Sequence, residues 1–110
     1  MTEALVVLTN CPDADSADRI ARTLVESGLA ACVNRLAPVD SIYRWQGAVE
    51  RATETPLLVK TTRERYTEVE QAIRALHPYD LPEIIALPIE AGFAPYLRWI
   101  ADATERPLRA

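Results

Sequence analysis

The chain has 110 residues, 49% of them apolar and 25% charged, which is enough for one hydrophobic core and too short for a second, so residues 1–110 read as a single domain. A formal net charge of −4 with no basic cluster argues against nucleic acid as a partner. No apolar run approaches a membrane span, Met1-Thr2-Glu3 lacks the basic start of a signal peptide, and Cys11 and Cys32 are therefore expected as reduced thiols in a cytoplasmic protein.

Ala4-Leu5-Val6-Val7-Leu8 reads as a central strand covered on both faces, ending at a turn over Thr9-Asn10-Cys11-Pro12. Asp13, Asp15 and Asp18 load the start of a helix with the negative charge its dipole favours. Ala17, Ile20, Ala21, Leu24 and Val25 then form one apolar stripe, and Gly28 closes the helix as a left-handed cap. Ala30–Leu36 is a second strand and Ser41–Gln46 a third, with Tyr43 and Trp45 on one face and Ile42 and Arg44 on the other. Gly47 marks a tight turn or a bulge; Val49–Thr55 either folds back or continues extended, and the pattern does not choose. Thr55–Thr61 is strand-like, with Pro56 placing an edge or bulge at its start.

Thr61-Thr62-Arg63-Glu64 fits a capping box, opening a helix with Tyr66, Val69, Ile73 and Leu76 inward. Pro78 forces that helix to end at His77. The stiff connector His77-Pro78-Tyr79-Asp80-Leu81-Pro82-Glu83 is then clamped between the helix and a core strand over Ile84–Leu87. Pro95 sits at the start of a last helix whose packing face is Tyr96, Leu97, Trp99, Ile100 and Ala103, and the tail from Arg106 is expected to fray.

The order is βαββαβ plus a C-terminal helix, an α+β, ferredoxin-like sandwich with two helices on one face of an antiparallel sheet. Val33, Ile42, Tyr43, Trp45, Val49 and Leu58 put more apolar surface on the middle strands than one open face should show to water. Leaving such side chains wet forfeits about 1.5–3 kcal/mol each, so other subunits are expected to cover them.

For chemistry, His77, Cys11 and Cys32 are the metal-ligating residue types, suited to copper or zinc, although there is no CxxC and no second histidine. Against that reading, His77 is placed to cap a helix end and the cysteines to pack as small apolar residues. Tyr43, Trp45, Lys60, His77, Tyr79, Asp80 and Glu83 can line a ligand pocket or a subunit contact, with Lys60 and Glu83 equally able to pair as ions. No activated nucleophile or phosphate-cradling glycine loop is present, so no reaction and no organic cofactor is assigned.

Cys32-Val33-Asn34, Ser41-Ile42-Tyr43-Arg44-Trp45-Gln46-Gly47, Lys60-Thr61-Thr62, His77 through Pro88 and Tyr96-Leu97-Arg98-Trp99 together resemble the CutA divalent-cation-tolerance family, from about Val6 to Trp99. The resemblance implies a non-enzymatic, interlocked homotrimer similar in architecture to PII-type signalling proteins, a link to tolerance of divalent ions, and copper binding in some members. It carries over His77 as a metal ligand, with Cys11 as a substitute for the family's first-strand cysteine, where Thr9 stands; Leu76 stands where that pattern has a second histidine. The alternative it implies is a PII-like module that binds a small metabolite in an inter-subunit cleft through Tyr43, Trp45, Lys60, Tyr79 and Glu83.

Overall fold

Strict alternation along the first strand organises the molecule. In the computed structural model, which describes residues 3–105, β1 (Ala4–Cys11) turns Leu5, Val7, Thr9 and Cys11 into a fully enclosed layer and leaves Val6, Leu8 and Asn10 half-buried on the other side. The strand thus continues through Thr9-Asn10-Cys11, where the sequence had indicated a turn, because Asn10 and Cys11 find partners in Pro56 and Thr55. The fraying expected from Arg106 lies outside the described residues.

α1 (Ala14–Glu26) starts at Asp13, whose carboxylate accepts the Ser16 N–H at 2.7 Å. Ala17, Ile20 and Leu24 are buried in the core, whereas Val25 falls off the stripe and stays exposed. Gly28, at φ +74°, ends the helix in the left-handed conformation. β2 (Cys32–Arg35) is shorter than expected, and β3 (Val39–Trp45) runs to a two-residue turn at Gln46-Gly47, where both φ angles are positive as in a type I′ hairpin. β4 (Ala48–Thr62) folds back from that turn and runs without interruption for 15 residues.

Pro56 lies inside β4, not at the start of a strand. Arg35 pairs with Leu57 and Val39 with Glu54, so Leu36-Ala37-Pro38 oppose only Thr55 and Pro56, a one-residue bulge. The carbonyl of Pro56 still accepts the Leu36 N–H at 3.0 Å, while the missing proline N–H falls where the ladder is already broken.

The capping box does not form. Thr61 stays in β4 and gives its hydroxyl to the Leu29 carbonyl at 2.6 Å, and a 3-10 turn (Arg63–Arg65) precedes α2 (Tyr66–Leu76). Val69 and Ile73 of α2 complete the core with α1 and the sheet. β5 (Ile85–Pro88) pairs only with β1, so the expected core strand is an edge strand whose Ile85 and Leu87 are exposed. In α3 (Ala94–Ala103) only Ile100 is fully buried; Tyr96 and Trp99 stack on each other with ring centres 5.5 Å apart, on the exposed side. Arg65 fastens the end of α3 by donating to the Thr104 carbonyl at 2.7 Å.

The sheet order is β2-β4-β1-β5, all antiparallel, with β3 beside the first half of β4. With α1 and α2 on one face and α3 touching β1 and β4 from elsewhere, this is the ferredoxin-like α+β fold expected from the element order. The hairpin of β3 and the first half of β4 stands out from it as an arm. The radius of gyration of 14.8 Å accordingly exceeds the value of about 13 Å for a compact chain of this length.

Candidate functional site

The hairpin register decides which side chains share a face. Tyr43 pairs with Glu50, Val39 with Glu54 and Trp45 with Ala48, so Tyr43, Trp45, Glu50 and Glu54 project from one side of the arm. Ile42, Arg44, Val49 and Arg51 project from the other. The connector after α2 comes up against the first of these faces. Between them lies a cleft of about 900 Å³, walled by Tyr43, Trp45 and Tyr79 and carrying the carboxylates of Glu50, Glu54, Asp80 and Glu83. That is the volume range of small-molecule sites.

His77 fixes the connector. It ends α2 with its N–H on the Ile73 carbonyl at 2.8 Å, and its ring is nearly enclosed, at 7% exposure. The Tyr79 N–H can only donate, so Nδ1 of His77 is the acceptor in their 3.1 Å contact. Nε2 therefore carries the proton and donates to the Asn10 carbonyl at 2.6 Å. Its side chain thus ties the connector to β1 and does not reach the last carbonyls of α2. Asn10 completes the tie by donating from Nδ2 to Glu83 at 3.2 Å. The rings of His77 and Tyr79 lie 4.9 Å apart.

The charged side chains that line the cleft are all carboxylates. Burial, followed by the charge of Glu54, pushes the Tyr79 hydroxyl up to about 12. Burial is also the main reason that the Cys11 thiol is pushed up to about 11, with Asp13 and Glu54 adding to it. Among the described residues, no lysine or arginine lines the cleft.

The residues expected from the sequence divide accordingly. Tyr43, Trp45, Tyr79, Asp80 and Glu83 come together in the cleft. Lys60 does not: it pairs across the sheet with Cys32, about 20 Å along β4 from Glu54 at the usual strand rise, and its ammonium contacts Asn34. An ion pair of Lys60 with Glu83 is thereby replaced by separate hydrogen bonds to Asn34 and from Asn10. Glu50, Glu54, Ser41 and Asn10 were not anticipated. A two-residue turn at Gln46-Gly47 would have indicated the two glutamates, since it sets the pairing that puts Glu50 beside Tyr43 and Glu54 farther along the same face.

The two candidate metal donors, His77 and Cys11, are both taken up within the fold. Both ring nitrogens of His77 are engaged, and the Cys11 sulfur is fully buried in a setting that favours the protonated thiol. Among the described residues, no three His, Cys, Asp or Glu side chains converge on one point. Cys32, the other thiol, is half-buried on the sheet.

Residues 5–103 match the family model described as "CutA1 divalent ion tolerance protein". The chain is 48% identical over 99 residues to the divalent-cation tolerance protein CutA of Thermus thermophilus, covering 90% of this chain and 96% of that one. It is 46% identical over 92 residues to the CutA homolog of Xenopus laevis, covering 84% of this chain and 61% of that longer relative. Among solved structures, CutA1 from the psychrotrophic bacterium Shewanella sp. SIB1 superimposes with a TM-score of 0.91 at 46% identity, covering 94% of this chain and 97% of that one.

Proposed function

The chain belongs to the CutA1 divalent ion tolerance family, and we propose that it acts in divalent-ion tolerance as a homotrimer and not as an enzyme. The arm carries this reading. Ile42 and Val49 on its back face are 64% and 68% exposed, and β5 leaves Ile85 and Leu87 uncovered on an edge strand. Covering such side chains is worth about 1.5–3 kcal/mol each, and an exposed apolar edge strand invites pairing with another chain. A cyclic assembly lets each arm lie on the next subunit and closes without open ends. Sedimentation velocity at micromolar concentration is expected to report three chain masses; a folded monomer would overturn the assembly.

Copper does not define this role. His77 and Cys11 offer no free donor pair, so calorimetric titration with copper is expected to give equal heats for the wild type and His77→Ala, with no saturable site lost. A saturable site that disappears in the variant would restore the metal reading. A cytoplasmic, reducing setting accords with two unpaired thiols.

The cleft favours a second reading, a PII-like module that binds a small metabolite between the arm and the connector. Its volume and its mixture of aromatic walls with a few polar groups support this. A thermal-shift screen of metabolites tests it, because a ligand at a hundredfold its Kd adds about 2.7 kcal/mol of stability. A flat screen across charge classes would remove it.

A further inference from the structure

We propose that the ligand taken by this cleft is a small organic cation, an aliphatic amine or polyamine held by Glu54 and its neighbouring carboxylates against aromatic rings. The inference rests on the ligand-cleft reading and adds the chemical class. Three independent features of the site point to it.

Glu54 is 92% enclosed and faces the cleft beside the Tyr79 hydroxyl, yet among the described residues no lysine or arginine lines the cleft with it. A buried carboxylate is costly unless a positive charge or several donors compensate it, and one phenol is a weak substitute. The remaining compensation has to come from whatever occupies the cleft.

The walls are the second feature. Tyr43, Trp45 and Tyr79 present ring faces and edges in the same space as the carboxylates. Aromatic faces attract ammonium groups through their quadrupole, and they shield the methylenes of an aliphatic chain from water. An inorganic divalent cation gains nothing from such walls and requires converging oxygen ligands, which the described residues do not provide.

The arm supplies the third. Its arginines, Arg44 and Arg51, project from the face opposite Tyr43 and Glu50, so the positive charge of the hairpin is kept on the side away from the cleft. An anionic ligand would meet four carboxylates and no counter-charge.

The experiment uses the full chain and three four-carbon probes with ammonium, hydroxyl or carboxylate ends: putrescine, 1,4-butanediol and succinate, each titrated by calorimetry at neutral pH. Saturable binding of putrescine alone is expected, with affinity falling at least tenfold in Glu54→Gln and again on raising the salt. Glu50→Gln, on the less enclosed partner of Tyr43, should weaken putrescine binding in the same direction if Glu54→Gln fails to fold. Succinate binding as tightly as putrescine would keep the ligand cleft and overturn its cation preference. If none of the three probes binds and the metabolite screen is also flat, the cleft reading and the amine inference fall together. If the screen finds a neutral or anionic ligand instead, only the inference falls. Should Glu54→Gln disperse the oligomer while putrescine never binds, the compensating cation belongs to a second copy of the chain, and the amine proposal is overturned.

Discussion

Thr55–Thr62 of β4 lies between β1 and β2 with α1 and α2 packed on its inner face, whereas Ala48–Glu54 of the same strand has β3 on one edge and, among the described residues, no strand on the other. Within Thr55–Thr62, Leu57, Val59 and Thr61 are fully enclosed. Within Ala48–Glu54, Val49 is among the most exposed apolar residues of the molecule. One continuous strand thus carries both the centre of the core and an arm without a core of its own. The difference teaches that the body owes its stability to contacts within the chain, and that the arm leaves apolar side chains which those contacts do not cover.

The largest expected effect tests the two halves against each other. Ile73→Ala empties a fully enclosed position of the body and should cost about 2–5 kcal/mol in denaturant unfolding, while Val49→Ala on the arm should stay within about 0.5 kcal/mol under conditions where the chain is monomeric. Similar costs at both sites would erase the distinction. Val49→Arg comes next: placing an unpaired guanidinium on the back face of the arm should weaken association by about 3 kcal/mol, read as dissociation in sedimentation equilibrium. An unchanged oligomer would show that this face is not at a subunit contact.

A smaller effect of opposite sign belongs to the body. The hydroxyl of Thr9 is buried on the helix-facing side of β1 without a hydrogen-bond partner, so Thr9→Val should stabilise the protein by about 1 kcal/mol in urea unfolding. No gain would mean that the hydroxyl is satisfied in solution. The smallest effect concerns pH. The backbone N–H of Ser16 holds the Asp13 carboxyl below its ordinary value, so the folded form binds this proton less readily than the unfolded chain. Its contribution is therefore complete above the ordinary carboxylate range and is lost as pH falls through the lowered folded value. Asp13→Asn keeps a capping acceptor and should flatten the acid side of the urea-midpoint profile below about pH 4; a profile as steep as that of the wild type would assign the acid sensitivity elsewhere.

Much of the body was legible in the residues themselves. Alternation and helical stripes are local properties, and Ala17, Ile20, Leu24, Val69 and Ile73 are buried where their spacing put them. The lone Gly28 and the His77-Pro78 stop also act within a few residues, and both end helices as expected. The misreadings share one cause. Whether Thr9–Cys11 turned or stayed extended, whether Thr61 capped a helix or bonded Leu29, and whether Ile84–Leu87 was a central or an edge strand all depended on partners distant in sequence.

The site divides in the same way. The sequence determined the inventory, a stiff connector with Tyr79, Asp80 and Glu83 and an aromatic pair at Tyr43 and Trp45, because proline geometry and strand alternation are fixed by neighbouring residues. Only the tertiary structure decided the grouping. The hairpin register brought in Glu50 and Glu54, the bulge at Pro38 and Pro56 set where the arm leaves the sheet, and Lys60 was left on a different part of β4. Register is a pairing between strands, and a single residue of slip turns every side chain to the other face, so the charge of the cleft could be read only after the strands were paired.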